Sequence, residues 1–247
     1  SSEDKNIYGL WYLPWDIWKS IYLAIKYSNH KDGYSIIQNI HRFFYLFWIA
    51  GYTFSPIKQT SYNLISWVKQ NISATEIQER LDAKLSEHSV IAKAKTILES
   101  DDVYNYKWIK PLLCLLEYSY REKSDFIYWD RKLQVEHILP QKFEHEDSWS
   151  HIDKNDGKKY LNSIGNLTLL SDIKNPEAKN YSFPKKLSVY AGNGVAGNKS
   201  KGWTQYQITQ ELVNQNSAIL DSAVWDIVSI KNRKKNVLTK IYKLLEI

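Results

Sequence analysis

The chain has 247 residues, with 43% apolar and 14% aromatic side chains, so it can bury a sizeable core as one large domain or two small ones. Thirty-three Lys and Arg against 27 Asp and Glu give a net charge of +6, a balance that suits a polyanionic partner. One cysteine excludes a disulfide framework or a cysteine zinc site within the chain, and no apolar run approaches the ~20 residues of a membrane span.

Residues 7–30 carry Trp11, Trp15, Trp18, Ile21 and Ile25 at near-helical spacing, which predicts a helix with Pro14 near its start. Asp32-Gly33 marks a turn. Residues 34–52, rich in Ile36, Ile40, Phe43, Phe44 and Phe47, predict a buried helix, and residues 59–71 another. Thr75 with Gln78 resembles a capping box that opens a helix over about 76–87, followed by an amphipathic stretch at 89–99. Residues 105–120 predict a helix that buries Cys114 as a small core residue.

The texture changes near 125. Phe126-Ile127-Tyr128 and Leu133-Gln134-Val135 have β character, residues 144–159 read as a polar loop, and Asn166–Leu170 reads as a second strand. Asn175-Pro176 predicts an N-cap with proline at the first helical position. A glycine-rich loop at 191–202 precedes a helix capped by Thr204 and running to about 227, then a basic helix over 229–245 with Lys231, Arg233, Lys234 and Lys240. The expected organisation is mainly α: a helical N-terminal region over 1–121, and a second domain over 122–247 with its strand-loop-strand-helix core at about 131–190. Methionine is absent even from position 1, which leads to the expectation that an N-terminal partner segment is missing.

Chemistry concentrates in Gln134-Val135-Glu136-His137-Ile138-Leu139-Pro140-Gln141 and in Ile164-Gly165-Asn166-Leu167-Thr168-Leu169-Leu170 through Asn175. A carboxylate beside an imidazole, followed by two asparagines, is what a one-metal nuclease needs: an oxygen ligand for the cation, a base for water, and amides to hold both. Glu136 and His137 are neighbours on a strand and point to opposite faces unless the strand ends or bends there. Taken singly, His137 after an apolar strand, Asn166 in a Gly-Asn turn and Asn175 before proline have ordinary structural explanations. His145 and His151 lie in an acidic stretch that reads as a solvated loop.

These motifs, with Asn180, Phe183, Lys185 and Tyr190 beyond them, resemble the HNH nuclease domain at the C-terminal end of GmrSD-type restriction enzymes over about 105–226. They are also similar to the HNH module of RNA-guided CRISPR nucleases in the nine-residue separation of Asn166 from Asn175. The resemblance implies a ββα-metal (His-Me finger) motif, Glu136 and Asn175 as metal ligands, His137 as general base, and Asn166 as the residue that orients the histidine or bridges the strands. It implies Mg²⁺ or Mn²⁺ as cofactor, double-stranded DNA as partner, and a defence role against foreign DNA such as phage. A nucleotide-hydrolysing sensor domain would then lie outside this chain, and the setting would be cytoplasmic, away from any membrane.

Two features depart from that pattern: Asn175 stands where the family name has a histidine, and Glu136 is one methylene longer than the more frequent aspartate. Asn180 reads as an additional family-like amide or as a structural cap. Lys179, Lys185 and Lys186 follow the motif as candidate phosphate contacts. Three other functions remain open on sequence: a non-catalytic DNA-binding module with a relic motif, a toxin-like nuclease acting on RNA, and a protein-interaction scaffold built by the N-terminal helices.

Overall fold

The computed structural model describes residues 2–120, 132–193 and 202–247, and it divides into two compact units. The β character of Phe126–Tyr128 and most of the glycine-rich loop lie outside the described residues. The first unit comprises Ser1–Glu99 with Leu245–Ile247, the second Ser100–Leu244.

The first unit is helical: α1 (Ser2–Leu10), α2 (Ile17–Tyr27), α3 (Gly33–Ile49), α4 (Lys58–Lys69), α5 (Ala74–Glu87) and α6 (Val90–Leu98). Helix α3 is its centre. Phe43, Phe44, Tyr45, Leu46 and Phe47 are buried consecutively, so the second half of the helix is apolar all round, while Ser35 and Gln38 in its first half face solvent. The helix expected over 7–30 is two helices. Residues 11–16 form turns around Pro14, whose ring cannot sit in a helix interior. The capping serine of α5 is Ser73, two residues before the expected Thr75. Its Oγ accepts from the Glu76 N–H at 3.2 Å, the first half of a Ser-x-x-Glu box.

The second unit contains α7 (Ile109–Ser119), strand β1 (Leu133–His137), α8 (Lys154–Tyr160), strand β2 (Leu167–Ser171), α9 (Lys174–Ala178), α10 (Phe183–Ala191), α11 (Gln207–Gln215) and α12 (Ile227–Leu245). The strands pair antiparallel, with Glu136 opposite Thr168 and His137 opposite Leu167. Ile138, Leu139, Phe143, Trp149, Phe183, Leu187 and Trp225 form the core around the hairpin's end. The mainly α expectation holds, with this hairpin as the sheet.

Three local expectations differ here. The stretch 144–159 is more ordered than a loop: Asp153 accepts from the Asn155 and Asp156 amides and starts α8. Asn175 is not an N-cap, because α9 already begins at Lys174. The helix expected from Thr204 to about 227 ends at Gln215, and Asp226 opens α12 by accepting from the Ser229 amide at 2.7 Å. At the start of α11 the buried Glu117 carboxylate of α7 accepts the free amides of Gln207 and Ile208 at 2.8 and 2.9 Å. That contact satisfies orphan donors and sets a negative charge at the positive helix end. Cys114 is buried as expected, and desolvation pushes its thiol up to about 12.

Candidate active site

Asn166 organises the end of the hairpin. It is fully buried; its Oδ1 accepts from the Leu139 N–H at 2.7 Å and from the Trp225 indole at 3.1 Å, and its Nδ2 donates to the Leu139 and Leu161 carbonyls at 3.0 and 2.8 Å. The amide thus serves both polar backbone groups of Leu139, where β1 has ended and the chain turns towards Pro140. These bonds tie the start of β2 to the segment that follows β1, and among the described residues no hydrogen bond joins the Asn166 side chain to the His137 ring. Its neighbour Gly165 is needed for a different reason: a Cβ there would meet the Ile230 carbonyl of α12 at 2.2 Å. Arg233 of α12, itself buried, donates to the Gly165 and Leu167 carbonyls at 2.9 and 2.6 Å. This member of the basic helix therefore serves the fold, and desolvation lowers it to about 10.

Strand alternation separates Glu136 from His137. Glu136 faces α10, where its Oε1 lies 2.5 Å from Lys186 Nζ; the same ammonium donates to the His137 carbonyl at 2.7 Å. Lys186 is fully buried and Glu136 nearly so. Burial pushes the Glu136 carboxyl up and the Lys186 ammonium down, while their mutual attraction opposes both shifts. Wholly buried Tyr190 adjoins the pair, and its hydroxyl is held well above its ordinary value by desolvation and by the Glu136 charge. Lys186 was expected against DNA phosphates; its place is instead beneath the strand end, because a buried carboxylate requires a buried partner.

His137 points the other way. Its Nε2 lies 3.0 Å from Asn162 Oδ1, and the Tyr104 ring packs on it with centroids 4.3 Å apart. Desolvation lowers the imidazole to about 4, against a smaller opposing effect of the Asn162 hydrogen bond, so the ring is neutral at pH 7. Asn162 Nδ2 donates to Asp102 Oδ1 at 3.0 Å, and the Asn162 carbonyl accepts from the Val103 amide at 3.0 Å. Neither Asn162 nor Asp102 stood out in the sequence. The only local signal was a polar pair, Asp101-Asp102, before an apolar residue.

Asn175 sits half-buried in the first turn of α9, and its side chain makes no hydrogen bond to a described residue. No hydrogen bond among the described residues joins it to Glu136 or His137. Asn180 is structural: it donates to Glu146 Oε1 at 3.1 Å, and its carbonyl accepts from the Trp149 indole at 3.2 Å. Lys179 and Lys185 are exposed and lean towards one ring, with their ammonium groups 5.7 and 5.9 Å from the Tyr181 centroid. His151 bonds the Trp225 carbonyl at 3.1 Å, and among the described residues no cluster of three His, Cys, Asp or Glu could hold a metal.

Glu136 is already balanced by Lys186 on the face opposite to His137, and no hydrogen bond among the described residues joins it to Asn175, so the three side chains are not gathered round one cation as they stand.

Residues 89–240 match the family described as GmrSD restriction endonucleases, C-terminal domain, and the chain belongs to that family. The match extends beyond the resembling segment at both ends and takes in Asp102 as well as most of α12. It gives the chain a nuclease function of the restriction-endonuclease kind. No curated protein and no solved structure matches the chain significantly. Among the described residues no helix is long and apolar enough to cross a membrane.

Proposed function

We propose that the second unit is an HNH-type endonuclease that hydrolyses phosphodiester bonds in double-stranded DNA, as the effector part of a restriction system acting on foreign DNA such as phage. The observation that carries this reading is the family match together with the strand, loop, strand and helix order, which places the His137 imidazole at the end of β1, held by Asn162 on the face opposite to Glu136.

A neutral imidazole lone pair accepts a proton from water as the water oxygen attacks phosphorus. The P–O bond to the 3′-oxygen breaks, leaving a 5′-phosphate and a 3′-hydroxyl once that oxygen is protonated from solvent. An imidazole lowered to about 4 is wholly available at neutral pH, and a phosphate placed beside it raises its basicity. A Mg²⁺ or Mn²⁺ ion held by Glu136 and Asn175 with the phosphate is part of the proposal; it requires the Glu136 carboxylate to leave Lys186 and turn to the His137 face, and the ion would supply positive charge at the phosphorus centre and the leaving oxygen. Lys186 sets the strand end from below. Lys179 and Lys185 face solvent, where they can neutralise neighbouring phosphates. One such site cuts one strand at a time, so nicks precede double-strand breaks.

The test is a supercoiled-plasmid assay in Mg²⁺, Mn²⁺ and EDTA, with structured RNA in parallel. Nicking that requires a divalent ion and spares the RNA supports the reading. DNA binding without cleavage in any ion would make the unit a relic binding module. Preferential RNA cleavage would make it a ribonuclease. An N-terminal nucleotide-hydrolysing sensor, in the same polypeptide or a separate subunit, is part of the proposal; added nucleotide should change the activity only when that sensor is present.

A further inference from the structure

We propose that Asn162, oriented by Asp102, is a positioning residue that fixes His137 as its Nε2–H tautomer and leaves Nδ1 as the proton acceptor. The proposal rests on the reading of His137 as general base.

The hydrogen bonds form a chain with one consistent direction. A carboxylate only accepts, so the group that Asn162 presents to Asp102 Oδ1 at 3.0 Å must be its NH₂. The other end of the amide, Oδ1, therefore faces His137 Nε2 at 3.0 Å. That oxygen also only accepts, so Nε2 must carry the ring proton. Nδ1 then keeps its lone pair, and it makes no hydrogen bond to a described residue. Without Asp102 the Asn162 amide could rotate by half a turn, present its NH₂ to the ring and favour the opposite tautomer.

The surroundings make the chain stiff. The Val103 amide donates to the Asn162 carbonyl at 3.0 Å, so Asp102 and Asn162 are also tied through the backbone. Val103 is fully buried and anchors that loop. Tyr104, from the same loop, packs on the imidazole at 4.3 Å, and Lys186 holds the His137 carbonyl at 2.7 Å. Ring, backbone and tautomer are each held by a separate contact. An imidazole whose second nitrogen is fixed by a polar partner is a general arrangement for a histidine base, because a base protonated on the wrong nitrogen cannot accept.

The experiment uses the full chain with ¹⁵N-labelled histidine, and reads the tautomer from imidazole ¹⁵N shifts and the activity from plasmid nicking. His137→Ala assigns the resonance and shows whether nicking depends on this residue. In wild type, His137 should be protonated at Nε2. Asn162→Ala should move the population towards Nδ1–H and lower kcat about 10- to 100-fold with little change in KM for DNA, in the range found when residues that orient a histidine are removed. Asp102→Ala, on an exposed side chain, is the second variant and should shift both readouts the same way by less. Asp102→Asn, whose amide can donate as well as accept, should restore them only in part. A wild-type kcat in both Asn162→Ala and Asp102→Ala overturns the proposal, whichever tautomer is found. Nicking that persists in His137→Ala instead overturns the functional reading, while the ¹⁵N shifts still report on the hydrogen-bond chain.

Discussion

The Lys186 ammonium lies 2.5 Å from the Glu136 carboxylate, with 49 residues between them in the chain and both side chains buried. A lone buried charge is far costlier than a pair, so removing one partner should be worse than removing both. Lys186→Met should destabilise the protein by about 3–5 kcal/mol, and Glu136→Gln on that background should recover part of the loss. Urea denaturation of the two single variants and the double variant checks this; strictly additive losses would mean that the pair is not coupled.

Asn166 and Gly165 make the turn before β2 intolerant of change. Asn166→Ala strips partners from both polar groups of Leu139 and from the Trp225 indole, at ~1–3 kcal/mol for each buried group left unsatisfied. Asn166→Asp should be at least as damaging, because a carboxylate would face the Leu139 and Leu161 carbonyls. In Gly165→Ala the new methyl would lie 2.2 Å from the Ile230 carbonyl, so α12 must move. Thermal melts should place all three well below wild type; a Gly165→Ala melt within a degree of wild type would show that α12 does not approach so closely.

Two histidines tie stability to pH. Desolvation lowers both His41 and His137 from 6.5 to about 4, and the His41 Nε2 is buried with no hydrogen-bond partner among the described residues. Below pH 6.5 the unfolded chain takes up protons at these sites, while the folded protein does not until about 4. Their stabilising contribution is therefore complete above 6.5 and falls as pH drops through that window, by up to ~1.4 kcal/mol per pH unit for each. Urea midpoints at pH 7.5, 6 and 5 should decline, and His41→Leu should decline less steeply. Equal slopes for wild type and His41→Leu would remove His41 from the effect.

Lys179 joins strain to charge. It ends α9 at φ 44°, ψ −146°, a conformation that suits glycine, and its ammonium shares the Tyr181 ring with Lys185. Lys179→Gly should stabilise the fold by about 1 kcal/mol while weakening DNA binding. The paired change with Lys185→Ala should lower the slope of log affinity against log salt by about 2. Unchanged affinity and slope would take this patch out of the DNA-binding surface.

The legible parts of the chain are those written in local patterns. Apolar periodicity marks α3 and α7, and the Glu-His-Ile-Leu-Pro and Gly-Asn-Leu-Thr-Leu segments mark the hairpin and Asn166. What escaped depends on tertiary pairing. A lysine directly after an exposed one gives no sign that its charge is buried, because burial requires Glu136, distant in the chain. Asn162 and Asp102 are ordinary polar residues until the fold brings them, 60 positions apart, to one hydrogen bond. The sequence around Asp153 has the Asp, Asn and Gly content of a loop, although the same side-chain chemistry that favours turns also caps a helix.

The most direct measurement is plasmid nicking in Mg²⁺ by His137→Ala beside wild type, with circular dichroism to establish that both are folded. The expected result is a folded variant whose nicking rate falls by ~10²- to 10⁴-fold, the contribution of a positioned general base. A folded variant that nicks at the wild-type rate would contradict the assignment of His137 as the base.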